Sequence, residues 1–202
     1  MSNGSKNKVL EGLTNVHYSI LTYDESGNEI FSKPERLEGA KNIGATDTFA
    51  EGSEYADNKL SIYKKKQTGA DLALEFLNIS REIESKLTGK LYKTGEMVSR
   101  STDIQPQVAI MYTRTFSDES YENIVYYNCK LAKTDESTGT TTDGIEFKIT
   151  TFDGKASPLS NGDIKYVISS DEVGEDNTAS KKKLDNFFKT VQFFDKEDTT
   201  LE

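Results

Sequence analysis

The sequence predicts a mainly β domain with one helix packed against it, and three observations carry that reading. Apolar residues alternate with polar ones in several segments separated by turn-forming clusters. One segment, 79–89, instead repeats its apolar residues every four positions between helix-capping residues. Hydrophobic residues make up only 34% of the chain, yet ten Tyr and ten Phe are among them, a balance that suits thin β-layers with much polar surface.

Residues 14–32 read as a hairpin. Val16, Tyr18 and Ile20 alternate with His17, Ser19 and Leu21, DESGNE supplies the turn, and Ile30-Phe31 resumes the strand. Asp24, Ser26 and Asn28 are spaced like the start of a calcium loop, but Glu29 stands at the sixth position where glycine is needed, so the stretch is a turn. Residues 38–58, EGAKNIGATDTFAEGSEYADN, are polar, with Ile43 and Phe49 spaced as strand anchors, and read as a long extended loop or hairpin that buries little of itself. Tyr55, Asp57 and Asn58 form a corner before the alternating Leu60 and Ile62. Lys64, Lys65 and Lys66 read as a solvated strand edge rather than a phosphate track.

From Ala70 to Ile79 the strand pattern returns, with Leu72, Leu74 and Phe76 on one face and Ala73 and Leu77 on the other. Then the period changes. Ile79, Ile83 and Leu87 recur every four residues, Ser80 caps, Glu82 and Glu84 occupy the first turns and Gly89 ends the run, predicting a helix of about two to three turns. The clearest strands are 107–116 and 121–131, joined by SDES. Val125, Tyr127, Cys129 and Leu131 fall on one face in strict alternation, which makes Cys129 a core residue and not a reactive thiol.

Residues 133–144, KTDESTGTTTDG, read as a flexible loop, followed by a strand GIEFKITTF, a turn-rich DGKASPLSNGD and a short strand IKYVIS. Near the end, Leu184, Phe187, Phe188 and Val191 fall at i, i+3, i+4 and i+7, the spacing of a C-terminal helix. Neither a repeat nor a Pro- or Ser-rich linker divides the chain, so residues 1–202 read as a single domain with an ordered core over 8–195 and a charged tail over 196–202.

Several function classes are disfavoured. The N-terminal MSNGSKNKVLEGL has no apolar export core, and no run of eighteen apolar residues occurs, so neither a standard export signal nor a membrane partner is expected. Lys and Arg number 25 against 34 Asp and Glu, and the net charge of −9 repels nucleic acid. A lone cysteine excludes disulfides and a thiolate zinc site. His17, the sole histidine, has no sequence partner for a nucleophilic relay. Thr88-Gly89-Lys90 ends a helix instead of starting one and lacks the earlier glycine of a phosphate loop. Adjacent carboxylates such as Asp118-Glu119, Asp135-Glu136 and Asp171-Glu172 sit in loops, and no tryptophan offers a sugar-stacking platform. No catalytic, metal-binding or cofactor-binding residue is assigned, and no cofactor is expected.

In their order, NKVLEGLTNVHYSILT, EGAKNIG, EYADNKLSIY, TGADLALEFLNISREIESKLTGK and QPQVAIMYTRTFSDESYENIVYYNCKLA resemble the major tail proteins of long, non-contractile-tailed phages of Gram-positive bacteria. The resemblance spans roughly residues 8–195. Lys59 after Asn58 and the Lys64–Lys66 run depart from that pattern at a strand edge.

The resemblance implies a tail-tube fold: a β-sandwich or partly closed barrel flanked by a helix, with a polar hairpin arm over 38–58. It implies homohexameric rings stacked into a tube around a tape-measure protein, bounded by a tail terminator and distal tail proteins. DNA would then pass through without tight binding. The setting would be the virion, and the host cytoplasm before assembly. Ile43, Phe49, Tyr55, Asp57 and Asn58 would form the arm and its base, and Lys64–Lys66 would guard a strand edge before assembly. The competing expectation is a monomeric β-sandwich binding module, an adhesin or carbohydrate binder.

Overall fold

The structure, a computed structural model, describes residues 8–57, 59–135, 149–174 and 177–194. Strand β1 (Leu10–Tyr23) starts earlier than its apolar alternation and turns back into β2 (Glu29–Phe31). The Asp24 carboxylate holds that turn, accepting from the backbone N–H groups of Ser26 and Asn28 and from the Asn28 side chain. These are the bonds of an Asx turn. A short β3 (Glu35–Arg36) also pairs with β1.

β4 (Ala40–Ala56) and β5 (Lys59–Phe76) form one long antiparallel hairpin. Sequence reading divides it into a loop and two shorter strands, because lysines and glycines interrupt the alternation. Backbone pairing continues through them, since the ladder does not require an apolar side chain at each step. Only the inner part of β5 contributes to the core: Ala70, Leu72, Leu74 and Phe76 are buried, while Ala73 and Leu77 face outward as predicted.

α1 (Arg81–Thr88) begins and ends where its caps predict. Ser80 accepts from the Ile83 N–H, and Gly89 returns its own N–H to the Ser85 carbonyl. Glycine is needed at position 89 twice over, because φ is +76° and an added Cβ would lie 2.0 Å from the Ile104 carbonyl oxygen. A small separate hairpin of β6 (Leu91–Lys93) and β7 (Glu96–Val98), not anticipated from the pattern, follows.

β8 (Gln107–Phe116) and β9 (Tyr121–Asp135) form the centre of the molecule, and β9 takes in the first three residues of the tract read as a loop. Residues 136–148, the rest of that tract and the start of the next expected strand, lie outside the described residues. β10 (Thr150–Ser157) runs through DGKAS, where a turn was expected, and β11 (Lys165–Ser169) matches the predicted short strand.

All these strands except β6 and β7 belong to one antiparallel sheet, ordered β2-β1-β8-β9-β10-β5-β4, with β3 also on β1 and β11 also on β9. Its two ends are not hydrogen-bonded to each other, so the architecture is mainly β and sandwich-like without barrel closure. Residues of β1, β5, β8, β9 and β10 share one core, which Leu87 of α1 enters.

A second core lies on the other side of β8 and β9. There α2 (Thr178–Asn186) and the segment after it pack Phe187, Phe188 and Phe193 against Met111, Val125 and Tyr127. This helix ends before the predicted apolar face is complete. The Lys183 ammonium donates to the carbonyls of Phe193 and Phe194 at 2.6 and 2.7 Å, and the Tyr127 hydroxyl donates to the Gln192 carbonyl at 2.7 Å. These tertiary bonds hold an irregular segment that covers the sheet as a helix would have.

Cys129 is fully buried, as expected, but not on the expected face. Val108 pairs with Cys129 and Ile110 with Tyr126, so β9 carries one extra residue between them. That bulge turns the following side chains over: Val125 and Tyr127 enter the second core, Cys129 and Leu131 the first. Among the described residues no helix is long and apolar enough to cross a membrane.

Candidate assembly surface

The β4–β5 hairpin has two halves with different surroundings. β10 pairs with β5 only over 70–76, ending at the Ala156–Ala70 pair. Beyond it β5 has β4 as its sole partner strand among the described residues, from Thr48 and Gly69 out to Ala56 and Lys59. At about 3.4 Å per residue this free part extends roughly 30 Å. Gly69 marks its root, where an added Cβ would lie 2.3 Å from the Ala156 carbonyl oxygen.

The arm therefore has different bounds from those predicted. Residues 40–48 belong to the body, where half-buried Ile43 packs on the first core, and residues 59–67 supply the arm's second strand. Phe49 and Tyr55 do lie on the free part, and β5 adds Ile62 and Tyr63. All four are exposed, Tyr55 to 70%. Asp57 sits in the turn at the tip with φ +52°, a left-handed conformation that Asp tolerates better than most residues. Asn58 lies outside the described residues.

Register separates the two faces of the arm. Glu51 pairs with Lys65 and Ser53 with Tyr63, so these share a face with Phe49. On that face the Lys65 ammonium contacts Glu51 at 2.6 Å and stands 4.5 Å from the centre of the Phe49 ring. The hydrogen bond from Lys65 holds the Glu51 carboxyl below its ordinary range. Lys64 and Lys66 project from the opposite face beside Ile62, with no ion-pair partner among the described residues.

Away from the arm, Glu84 is the polar group that sequence reading placed correctly but understood least. It is buried in α1, with one carboxylate oxygen 2.7 Å from Lys90 and the other 3.1 Å from Lys133 of β9. Burial pushes this carboxyl up, and the two lysine hydrogen bonds outweigh that effect and leave it lowered. A signal was present in the sequence, since Glu84 lies three and four residues before Leu87 and Thr88, on the helix face that packs inward.

His17 stacks on Phe188 with ring centroids 4.6 Å apart, and its Nδ1 is 2.8 Å from the Asn15 carbonyl. Burial lowers its pKa, against the effect of that carbonyl and with the help of Arg36. Asp118 accepts from the Ser120 hydroxyl and N–H, and Asp171 pairs with Lys8, so these loop carboxylates serve local structure. An open groove of about 930 Å³ crosses the face of β4, β5, β10 and β9, lined among others by Asp71, Lys130, Asp153 and Lys155. Lys155 and Asp71 lie 3.6 Å apart across it. Among the described residues no three His, Cys, Asp or Glu side chains converge to hold a metal ion.

No family model matches the chain, and no curated protein matches it.

Proposed function

We propose that the chain is a structural subunit that polymerises with copies of itself into the tube of a phage tail, a conduit for DNA built from stacked hexameric rings. The tape-measure, terminator and distal tail proteins come with this reading through the resemblance alone. The observation that supports self-assembly is the arm. It keeps four large apolar or aromatic side chains in water and, among the described residues, has no strand paired along either outer edge. Such an edge is a template for another chain, and closure of a ring satisfies it. The net charge of −9 suits a conduit, because a lining rich in cations would hold DNA through counterion release.

The binding-module reading draws on one observation of its own, the groove of about 930 Å³ on the sheet face. Negative-stain electron microscopy with light scattering, across a series of protein and salt concentrations, separates the two. Hollow rings or tubes are the expected result. A monomer at every condition would count against the tube and pass the lead to the groove.

A further inference from the structure

We propose that the arm of one copy docks on a second copy at the end of the central strands where β1, β8, β9 and β11 meet, the end toward which the arm itself extends. The inference rests on the self-assembly reading and assigns the surface that receives the arm. That end is one continuous surface. Ser117 donates its backbone N–H to the Val9 carbonyl, Leu10 pairs with Phe116, and Tyr121 and Ser170 are joined by two hydrogen bonds. It exposes Val9 to 65%, Leu10 to 54% and Tyr121 to 36%.

Charge selects the arm of a second copy as the occupant. Between residues 49 and 67 the arm carries Lys59, Lys64, Lys65 and Lys66 against Glu51, Glu54 and Asp57, four minus three, or +1. The whole chain is −9, so the remainder is −10, and the arm carries a small positive charge on an acidic protein. At the receiving end two described cations are already engaged: Lys8 pairs with Asp171 at 2.9 Å and Arg114 with Glu122 at 2.8 Å. Glu11, Asp118, Glu119 and Glu172 remain there without an ion-pair partner among the described residues.

Apolar groups rimmed by acids on one surface thus match a face on which Ile62, with Glu54 across the ladder from it, is followed along β5 by Lys64 and Lys66, unpaired among the described residues. The two surfaces differ, so the contact is heterologous. Repetition gives a ring if the rotation closes and a filament if it does not.

The test uses the full chain. Single variants Ile62→Cys and Tyr121→Cys are mixed under mild oxidation, with the native Cys129 left in place because it is fully buried. Separately, Lys64→Glu/Lys66→Glu and Glu119→Lys/Glu172→Lys are assayed alone and together in one chain, with thermal melts confirming that each folds. We expect a 62–121 disulfide between copies, in preference to 62–62 or 121–121. Each charge reversal should raise the concentration needed for assembly about tenfold or more, and their combination should restore most of the loss. Tubes that form without a 62–121 cross-link, or reversals without effect or mutual rescue, would overturn the docking surface while leaving the polymer reading intact. A chain that stays monomeric under all conditions and gives no cross-link would overturn both.

Discussion

The centre of the sheet and the arm are the same kind of structure, paired antiparallel strands, yet they are stable for different reasons. β8 and β9 bury both faces, Ile110 and Tyr126 in one core and Met111 and Tyr127 in the other. The arm beyond Gly69 buries little and is held by its ladder, cross-strand pairs such as Glu51–Lys65 and its continuity with the body. Strand geometry alone therefore says little about where the folding energy resides. What it leaves unspent on the arm is contact surface, available to a partner.

Mutations should sharpen this contrast. The largest loss is expected in the body: Phe76 and Phe152 meet edge to face, both essentially unexposed, and Phe76→Ala should cost about 4 kcal/mol in urea unfolding of the monomer. Next comes Glu84→Ala, which removes the buried carboxylate that bridges Lys90 and Lys133 and should cost about 3 kcal/mol.

The same site predicts a pH effect. A carboxyl whose pKa is lowered on folding stabilises the fold fully above its unfolded value, near 4.5, and that contribution is lost as pH falls through the folded value. The melting temperature of the native chain should therefore fall below about pH 4.5, and Glu84→Gln should make the decline shallower. An equally steep decline in the variant would assign it to other carboxylates, with Glu35, lowered by its bonds from Tyr18 and Lys86, the first to test.

Amide exchange should divide the β4–β5 hairpin at its root. In the monomer, 70–76 should be protected close to the global unfolding limit and 49–67 far less. Polymer should protect 49–67 as well; strong protection of the arm in a proven monomer would remove the reason for assigning it to assembly. The smallest expected effect is Phe49→Ala on monomer stability, within about 0.5 kcal/mol by urea unfolding, coupled with impaired assembly by light scattering.

The elements legible in the sequence were those whose local chemistry and tertiary setting agree. Ser80 and Gly89 bounded α1, and QVAIMYTRTF is apolar enough to declare a buried strand. Elsewhere the decisive term was not local. The bulge that turns Cys129 to the first core is a register event between two strands, invisible in the alternation of either. α2 ends at Asn186, and the segment after it is held by Lys183 bonds to carbonyls ten and eleven residues away, which no helical spacing reports. The arm was recognised as extended and polar over residues 38–58, with Ile43 and Phe49 as its anchors. Its length was not, because KKKQTG reads as a break unless β4 is known to lie beside it.

Gly69 gives the arm a mechanical property. A projection about 30 Å long is a lever, and a tilt of about 5° at its root carries the tip roughly 3 Å, enough to miss a partner's side chains. The bearing of that lever is the contact between the bare Gly69 Cα and the Ala156 carbonyl, where a methyl group does not fit. Gly69→Ala would thus act as an aiming error more than a loss of contacts: a folded subunit whose reach is intact and whose direction is wrong.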